Sequence, residues 1–377
     1  MAAVGTSARP ALDGRFFMAC RFSDLPGWTD DVVLEAFAAF RRSAFQVLER
    51  PYRTGALGID HDSFAEAFDA ARRIEAAGEA DARRFFETGF RAFRVVGQED
   101  GAGFVTGYYE PEVEASPHRT ETFRVPLYRR PDDLVDIDDG SRPSAMDPYF
   151  EFARSTASGL EEYPDRAAIE QGALAGRGLE IAWLADRVDA FFIHVQGAAR
   201  LKMPDGTVRR VTYAAKTGHR FTGPGGLLVE RGEISREAIS MQTIRAWLKS
   251  NPERADELLW RNRSFIFFRE ATVDDPDLGP VAAAKVPLAP GRSIAVDRKL
   301  HTFATPFYID APDLRVVDEK PFRRLMIAQD TGSAIVGPAR GDLFFGSGDR
   351  AGEMAGGVRH AAQFYALLPR RLAENAA

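Results

Sequence analysis

The stretch GFVTGYYEPEVEAS, residues 103–116, is where the hydrophobic period of this 377-residue chain changes. Upstream, apolar residues recur at helical spacing. Downstream, they fall in short aromatic and β-branched clusters broken by Gly and Pro, which favour strands. Pro111 cannot donate to a ladder, so the run does not continue into a central sheet. In the upstream part Thr29 can cap a helix, with Asp30 and Asp31 in its positive first turn. Val33, Phe37, Phe40, Ala44 and Val47 then line one face. A second helix is expected from Asp62 and a third over residues 80–90. Downstream, VDAFFIHVQGAARLKM and VRRVTYAAK read as two strands around the turn Pro204-Asp205-Gly206-Thr207, and residues 163–172 as a short helix. TGPGG (222–226) reads as a turn. Helices return after Ser235, a candidate cap, and at Asn251-Pro252, because proline at the first helical position loses no hydrogen bond. Strands dominate again from Phe265.

The order of helices, β block, two helices and β block predicts a mainly β protein with helices. A smaller β-rich domain, 112–268, is inserted into a second β domain made from 22–111 and 269–377. A leader, 1–21, is expected to pack poorly. The length suffices for two domains with separate cores.

Composition removes several function classes. The net charge is -6, so no basic field invites nucleic acid. A single cysteine, Cys20, excludes an internal disulfide and a cysteine-based metal site. No two of the six histidines lie within four positions, and there is no H-E-x-x-H, so no zinc site is expected. No apolar run approaches the roughly 18 residues of a membrane span. The N-terminus shows no apolar h-region of a signal peptide. Phe-Met-Ala-Cys ends as a lipoprotein box does, but without the h-region such a box needs.

The candidate chemistry lies in MIAQDTGSAIVGPARGD, residues 326–342. Asp-Thr-Gly suggests an aspartic protease, whose two carboxylates share a proton and come from two copies of the triplet or from a dimer. Here there is one copy, preceded by the polar Gln329. Three aspartates stand at or beside short β segments: Asp297 in SIAVDRKL, Asp330 and Asp342. They read either as turn residues bonding backbone amides or as polar groups exposed at strand ends.

AVD…AQDTGSAIVGPARGDLFFGSGDRAGEMAG resembles the three-aspartate domain, a double-psi β-barrel. Upstream are TGYYEP, PLYRRP, GRGLEIAWLADRVDAFFIHVQG, TGHRF and GEISREAISMQTIRAWLKSNP. Together these motifs resemble the membrane-bound lytic murein transglycosylase A family, from about residue 22 to residue 368. The resemblance implies a double-psi barrel split by a smaller β domain, with glycan in the groove between them. It implies cleavage of the β-1,4 MurNAc–GlcNAc bond of peptidoglycan with a 1,6-anhydro end, without metal or cofactor. The implied partner is the glycan strand and the implied location periplasmic and outer-membrane associated. A monomer is expected, with other cell-wall enzymes as candidate partners and with membrane contact only through a lipid. The family's catalytic acid falls on Asp342, a hydrogen-bonding or pKa-tuning neighbour on Asp330, and the third aspartate, expected among the substrate contacts, on Asp297. Thr106, Gly107, Tyr108 and Tyr109 match a groove motif, where a tyrosine face can stack on a sugar. Gln196-Gly197 match Q-G-S-G, but Ala198-Ala199 follow. Lys216-Thr217-Gly218-His219-Arg220-Phe221 resembles K-N-G-x-x-Y with two polar groups lost. The loop between Asp330 and Asp342 is a residue longer than the common pattern. These departures leave two alternatives: glycan binding without cleavage, or a hydrolase with Asp330 activating water.

Overall fold

The structure, a computed structural model, describes residues 12–74, 78–97 and 102–374. The chain forms two compact units. One comprises Met1–Tyr109, Asp275–Gly346 and Gly357–Ala377, the other Glu110–Asp274 and Ser347–Gly356. The chain thus enters the second unit at Glu110 and leaves it after Asp274, against 112 and 268 expected from the sequence, and returns briefly at Ser347–Gly356.

In the first unit six strands close into a ring. In order these are Arg359–Pro369, Pro306–Ala311, Phe322–Asp330, Ser293–Val296, Arg340–Ser347 and Gly103–Glu110, the last pairing back to the first. Closure depends on the eleven-residue strand Arg359–Pro369. Its first residues pair with Gly103–Thr106 and its last with Phe90–Arg94. Phe17–Cys20 adds an edge strand to Phe90–Val95. That strand falls within the stretch expected to be a poorly packed leader. Its Cys20 thiol is pushed up by burial. The part of that leader before residue 12 lies outside the described residues.

The ring interior is filled by Ile294, Phe307, Met326, Ala328, Leu343 and Phe364, which the strand registers place on one face and which are all fully buried or nearly so. Glycines allow close approach. A Cβ on Gly103 would lie 2.6 Å from the Ala339 carbonyl oxygen and 2.8 Å from that of Ala362. Backbone cannot step aside as a side-chain tip can, so Gly103→Ala is expected to destabilise this unit by about 2 kcal/mol. Faster hydrogen exchange of the ring amides checks it.

The helices Leu34–Gln46, Ala65–Arg73 and Glu79–Gly89 cover one side. They bury a phenylalanine cluster in which Phe40 meets Phe68, Phe85, Phe86 and Phe90 at 5.4–6.2 Å between ring centres. Two polar devices fasten helix to barrel. Gln329 donates to the Ala39 carbonyl and to Ser43, and accepts from Ser293 at 2.6 Å. Buried Arg292 pairs with Asp31 at 2.9 Å and donates to the carbonyls of Val32 and Leu325.

The second unit holds a six-stranded sheet in the order Ile266–Glu270, Val208–Lys216, Ala198–Lys202, Glu112–Ser116, Glu180–Leu184 and Val125–Tyr128, with a separate three-stranded sheet. Three expectations fail here. Residues 188–196, read as strand, lie in the helix Arg187–Gln196, started by Asp186 accepting from the Val188 amide. Phe191, Phe192, Ile193 and His194 are all buried, so the segment is apolar around much of its circumference and lacks the helical period. The TGPGG turn is instead the entry to the helix Pro224–Glu230. The next helix, Met241–Ser250, is capped by Ser240 rather than Ser235.

Candidate active site

The strand Ser293–Val296 lies between the two strands that carry the aspartates. Ala295 pairs with Asp330 on one side and with Asp342 on the other. Lateral partners share a sheet face, so both carboxylates stand over Ala295, their backbones roughly 10 Å apart at two strand spacings. A larger residue at 295 would stand between them. The register slips between Ile294 and Ala295, making Gln329 the extra residue of a bulge. Bulges re-aim side chains. Here Gln329 turns to the helix and Asp330 to the site.

Asp330 is fully engaged. Its Oδ1 accepts from the Ala283 amide at 3.3 Å and its Oδ2 from the Tyr108 hydroxyl at 3.0 Å. Burial drives its carboxyl up to about 6, against bonds from the Thr331 amide, Tyr108 and Ala283, and the nearby Asp342 charge adds to the rise. Asp342 is engaged on one side only. Thr106 donates to its Oδ1 at 2.6 Å, and among the described residues none donates to its Oδ2. Burial raises the Asp342 carboxyl, while Arg340 and the Thr106 bond pull the other way. Both aspartates are half-buried, with some solvent access remaining.

Asp330 therefore couples the site to stability. Its folded pKa lies above its ordinary value of 3.8, so the native state binds more protons across pH 4 to 6. Stability should fall as pH rises through that window. For a fully buried carboxyl, a rise of this size would cost roughly 3 kcal/mol once the group is ionised. Solvent access reduces this to an expected gain of about 1–2 kcal/mol for Asp330→Asn at neutral pH. Thermal melts of both proteins at pH 3 and 7.5 check it: the gain should be largest at the higher pH and nearly absent at the lower, which lies below both pKa values.

The loop between the aspartates is held at several points. Asp297 accepts from the Lys299 amide and, through its other oxygen, from the Gly337 amide, each at 3.0 Å. His301 donates from Nε2 to the Pro338 carbonyl at 2.8 Å, and burial lowers its pKa to about 4. Thr331 donates to the Val296 carbonyl. Asp297, expected among the substrate contacts, thus spends both oxygens on backbone amides and holds the loop.

Thr106 and Gly107 lie half-buried on the strand Gly103–Glu110. Tyr108 and Tyr109 are only 8% and 7% exposed, so neither presents an open ring face for a sugar. Tyr108 packs with Leu288, Ala295, Ile335 and Phe344, and only its hydroxyl serves the site. Gln196, Gly197, Lys216 and Gly218 belong to the second unit. Gly197 ends the helix in the left-handed conformation, at φ 79°. Lys216 lies 5.5 Å from the Tyr149 ring centre. Gly218 has φ 90°, and a Cβ there would meet Phe150 at 2.6 Å. Among the described residues no cluster of His, Cys, Asp and Glu could hold a metal.

Two participants escaped the reading of the sequence. Arg340 donates from Nη2 to Thr106 at 2.8 Å. Its signal was present, since residues 340 and 342 on one strand share a face. The Ala283 amide had none, because it reaches Asp330 from a loop 47 positions away.

Known proteins match this arrangement. A profile described as the MltA specific insert domain matches residues 104–269, and the 3D domain matches residues 292–368. The membrane-bound lytic murein transglycosylase A of Escherichia coli strain K12 is 30% identical over 312 residues, covering 80% of this chain and 76% of that protein. A crystal structure of membrane-bound lytic murein transglycosylase from Agrobacterium tumefaciens shares 51% identity, covers 96% of this chain and all of that one, and superposes with a TM-score of 0.91. The E. coli MltA with bound chitohexaose shares 25% identity over 97% of this chain and 98% of that one, with a TM-score of 0.68. The chain belongs to the membrane-bound lytic murein transglycosylase A family.

Proposed function

We propose that the chain is a lytic transglycosylase that cleaves the β-1,4 bond between MurNAc and GlcNAc in peptidoglycan, with Asp342 as its acid and then its base. The observation that carries the assignment is the difference between the two carboxylates. Asp342 keeps Oδ2 clear of protein donors among the described residues, whereas both oxygens of Asp330 are taken. Burial favours the neutral form of Asp342, as a proton donor requires.

One carboxyl suffices because the nucleophile is in the substrate. Ordinary glycosidases need a second carboxylate to attack C1 or activate water. Here Asp342 protonates the departing GlcNAc oxygen as the C1–O bond breaks. The C6 hydroxyl of the same MurNAc bonds to C1, and its proton passes to the Asp342 carboxylate. One proton leaves the enzyme and one returns, so water is not consumed. Asp330, when ionised, places a negative charge near the positive charge that develops at C1. Its filled hydrogen bonds weigh against a water-activating base, and hence against the hydrolase reading.

Thr106 and Gly107, with Gln196, Gly197, Lys216 and Gly218 of the second unit, are the proposed glycan contacts. The E. coli relative's bound chitohexaose supports a glycan chain as the ligand class. A periplasmic, outer-membrane-associated location follows from this substrate and from the membrane-bound relatives. No described helix is long and apolar enough to cross a membrane.

The test is digestion of purified murein sacculi, with mass spectrometry of the soluble products. Muropeptides ending in 1,6-anhydro-MurNAc are expected. Reducing MurNAc ends would mean hydrolysis, and sacculus binding without release would mean a binding module; either overturns the proposal.

A further inference from the structure

The Thr106 hydroxyl sits between a cation and the proposed acid. Arg340 Nη2 donates to Thr106 Oγ1 at 2.8 Å, and that oxygen lies 2.6 Å from Asp342 Oδ1. The guanidinium is held in place, with its centre 5.5 Å from the Phe104 ring centre and a second donor on the Gly341 carbonyl. A guanidinium only donates, and a threonine hydroxyl carries one proton. A hydroxyl that already accepts from a cation is polarised into a better donor and a poorer acceptor. Thr106 is therefore biased to give its proton to Oδ1. A carboxyl oxygen that is accepting is the less favourable place for the acid's own proton. That proton is left to Oδ2, the oxygen with no described protein donor.

We infer that Arg340 is a positioning residue, which acts through Thr106 to keep Asp342 Oδ1 an acceptor and so directs the transferable proton to Oδ2. This rests on the reading of Asp342 as the acid. Without the guanidinium, Thr106 can turn and accept from a proton on Oδ1. The neutral carboxyl then gains a bond, but its proton points away from the leaving oxygen. Arg340 also acts on Asp342 by charge, opposing the upward push of burial. Both effects move the acid in the same direction when Arg340 is lost. Its pKa rises and its proton is misdirected.

The experiment measures kcat, KM and the pH profile of anhydro-product release from sacculi for Arg340→Met, Arg340→Lys, Thr106→Val and the Met/Val double variant. Arg340→Met should lower kcat roughly tenfold with little change in KM, the loss expected for one charged hydrogen bond. The alkaline limb of its profile should move to higher pH. Arg340→Lys, which keeps a charged donor, should recover part of both. On the Thr106→Val background, Arg340→Met should cost clearly less in kcat than in the wild type, because the intermediary is gone and only the charge effect on Asp342 remains. A wild-type kcat and profile for Arg340→Met overturns the inference. So does a fall in kcat without movement of the limb, which marks a packing role. Should Arg340→Met fail to fold, Thr106→Ser against Thr106→Val decides: equal rates and equal profiles overturn the inference. A wild-type protein without anhydro products, or an active Asp342→Asn, instead overturns the underlying assignment of Asp342.

Discussion

Asp342→Asn should release anhydro-muropeptides about a thousand times more slowly than the wild type, near the middle of the range that a positioned acid–base group contributes. The amide is nearly isosteric, and its oxygen can still accept from Thr106, as Oδ1 does at 2.6 Å. What it cannot do is deliver a proton to the leaving oxygen or take one from the C6 hydroxyl. Both halves of the reaction therefore fail together, and KM should stay near the wild-type value. The folded state should not suffer, because burial disfavours the Asp342 charge and the amide has none. The variant should melt at or above the wild-type temperature near neutral pH. An inactive protein that also melts early would point to lost structure rather than lost chemistry. A variant retaining a tenth of wild-type kcat would remove Asp342 from the mechanism. In the wild type, release should decline as pH rises through the Asp342 pKa, because only the protonated acid can start the reaction.

The second large effect lies away from the chemistry. Arg292→Met should destabilise the barrel unit by roughly 3–5 kcal/mol, the cost of leaving one partner of a buried ion pair alone. Arg292 and Asp31 are 3% and 7% exposed. Asp31 would keep one donor, the Leu325 amide at 2.7 Å. The carbonyls of Val32 and Leu325 would lose theirs. Glu35 also meets Arg292, but its carboxylate is largely in water and contributes little. Hydrogen exchange of the Phe322–Asp330 amides reports this unit alone. A loss below about 1 kcal/mol would contradict the account. Adding Asp31→Asn should restore part of the stability, since the stranded charge rather than the missing contact dominates. The pair matters to the site because Arg292 adjoins the strand on which both aspartates are registered. Its carbonyl accepts from the Ile327 amide at 2.7 Å, three residues before Asp330.

Much of this protein was legible along the chain. The helix Leu34–Gln46 announced itself by its spacing of Phe37, Phe40 and Ala44, and Pro252–Trp260 by the proline at its start. The change of period near residue 103 marked the strand that carries Thr106 and Tyr108, and the two aspartates stood out in one short segment. Such signals are local, set by backbone sterics and by which neighbours share a face. Where burial on several sides erased that period, in Arg187–Gln196, aromatic and β-branched residues read as strand and the cap at Asp186 was overlooked.

The sequence could name two carboxylates but could not rank them by their surroundings. That ranking came from contacts between distant positions: Tyr108 and Ala283 closing both oxygens of Asp330, and Thr106, 236 positions away, closing one oxygen of Asp342. It also came from a one-residue bulge that sends Gln329 toward a helix and Asp330 toward the site. Asp297 shows the converse, a motif residue whose oxygens are spent on backbone amides. Proton affinity depends on desolvation and on donors from every side. Local pattern supplies the residue type, and only the closed ring of strands supplies its environment.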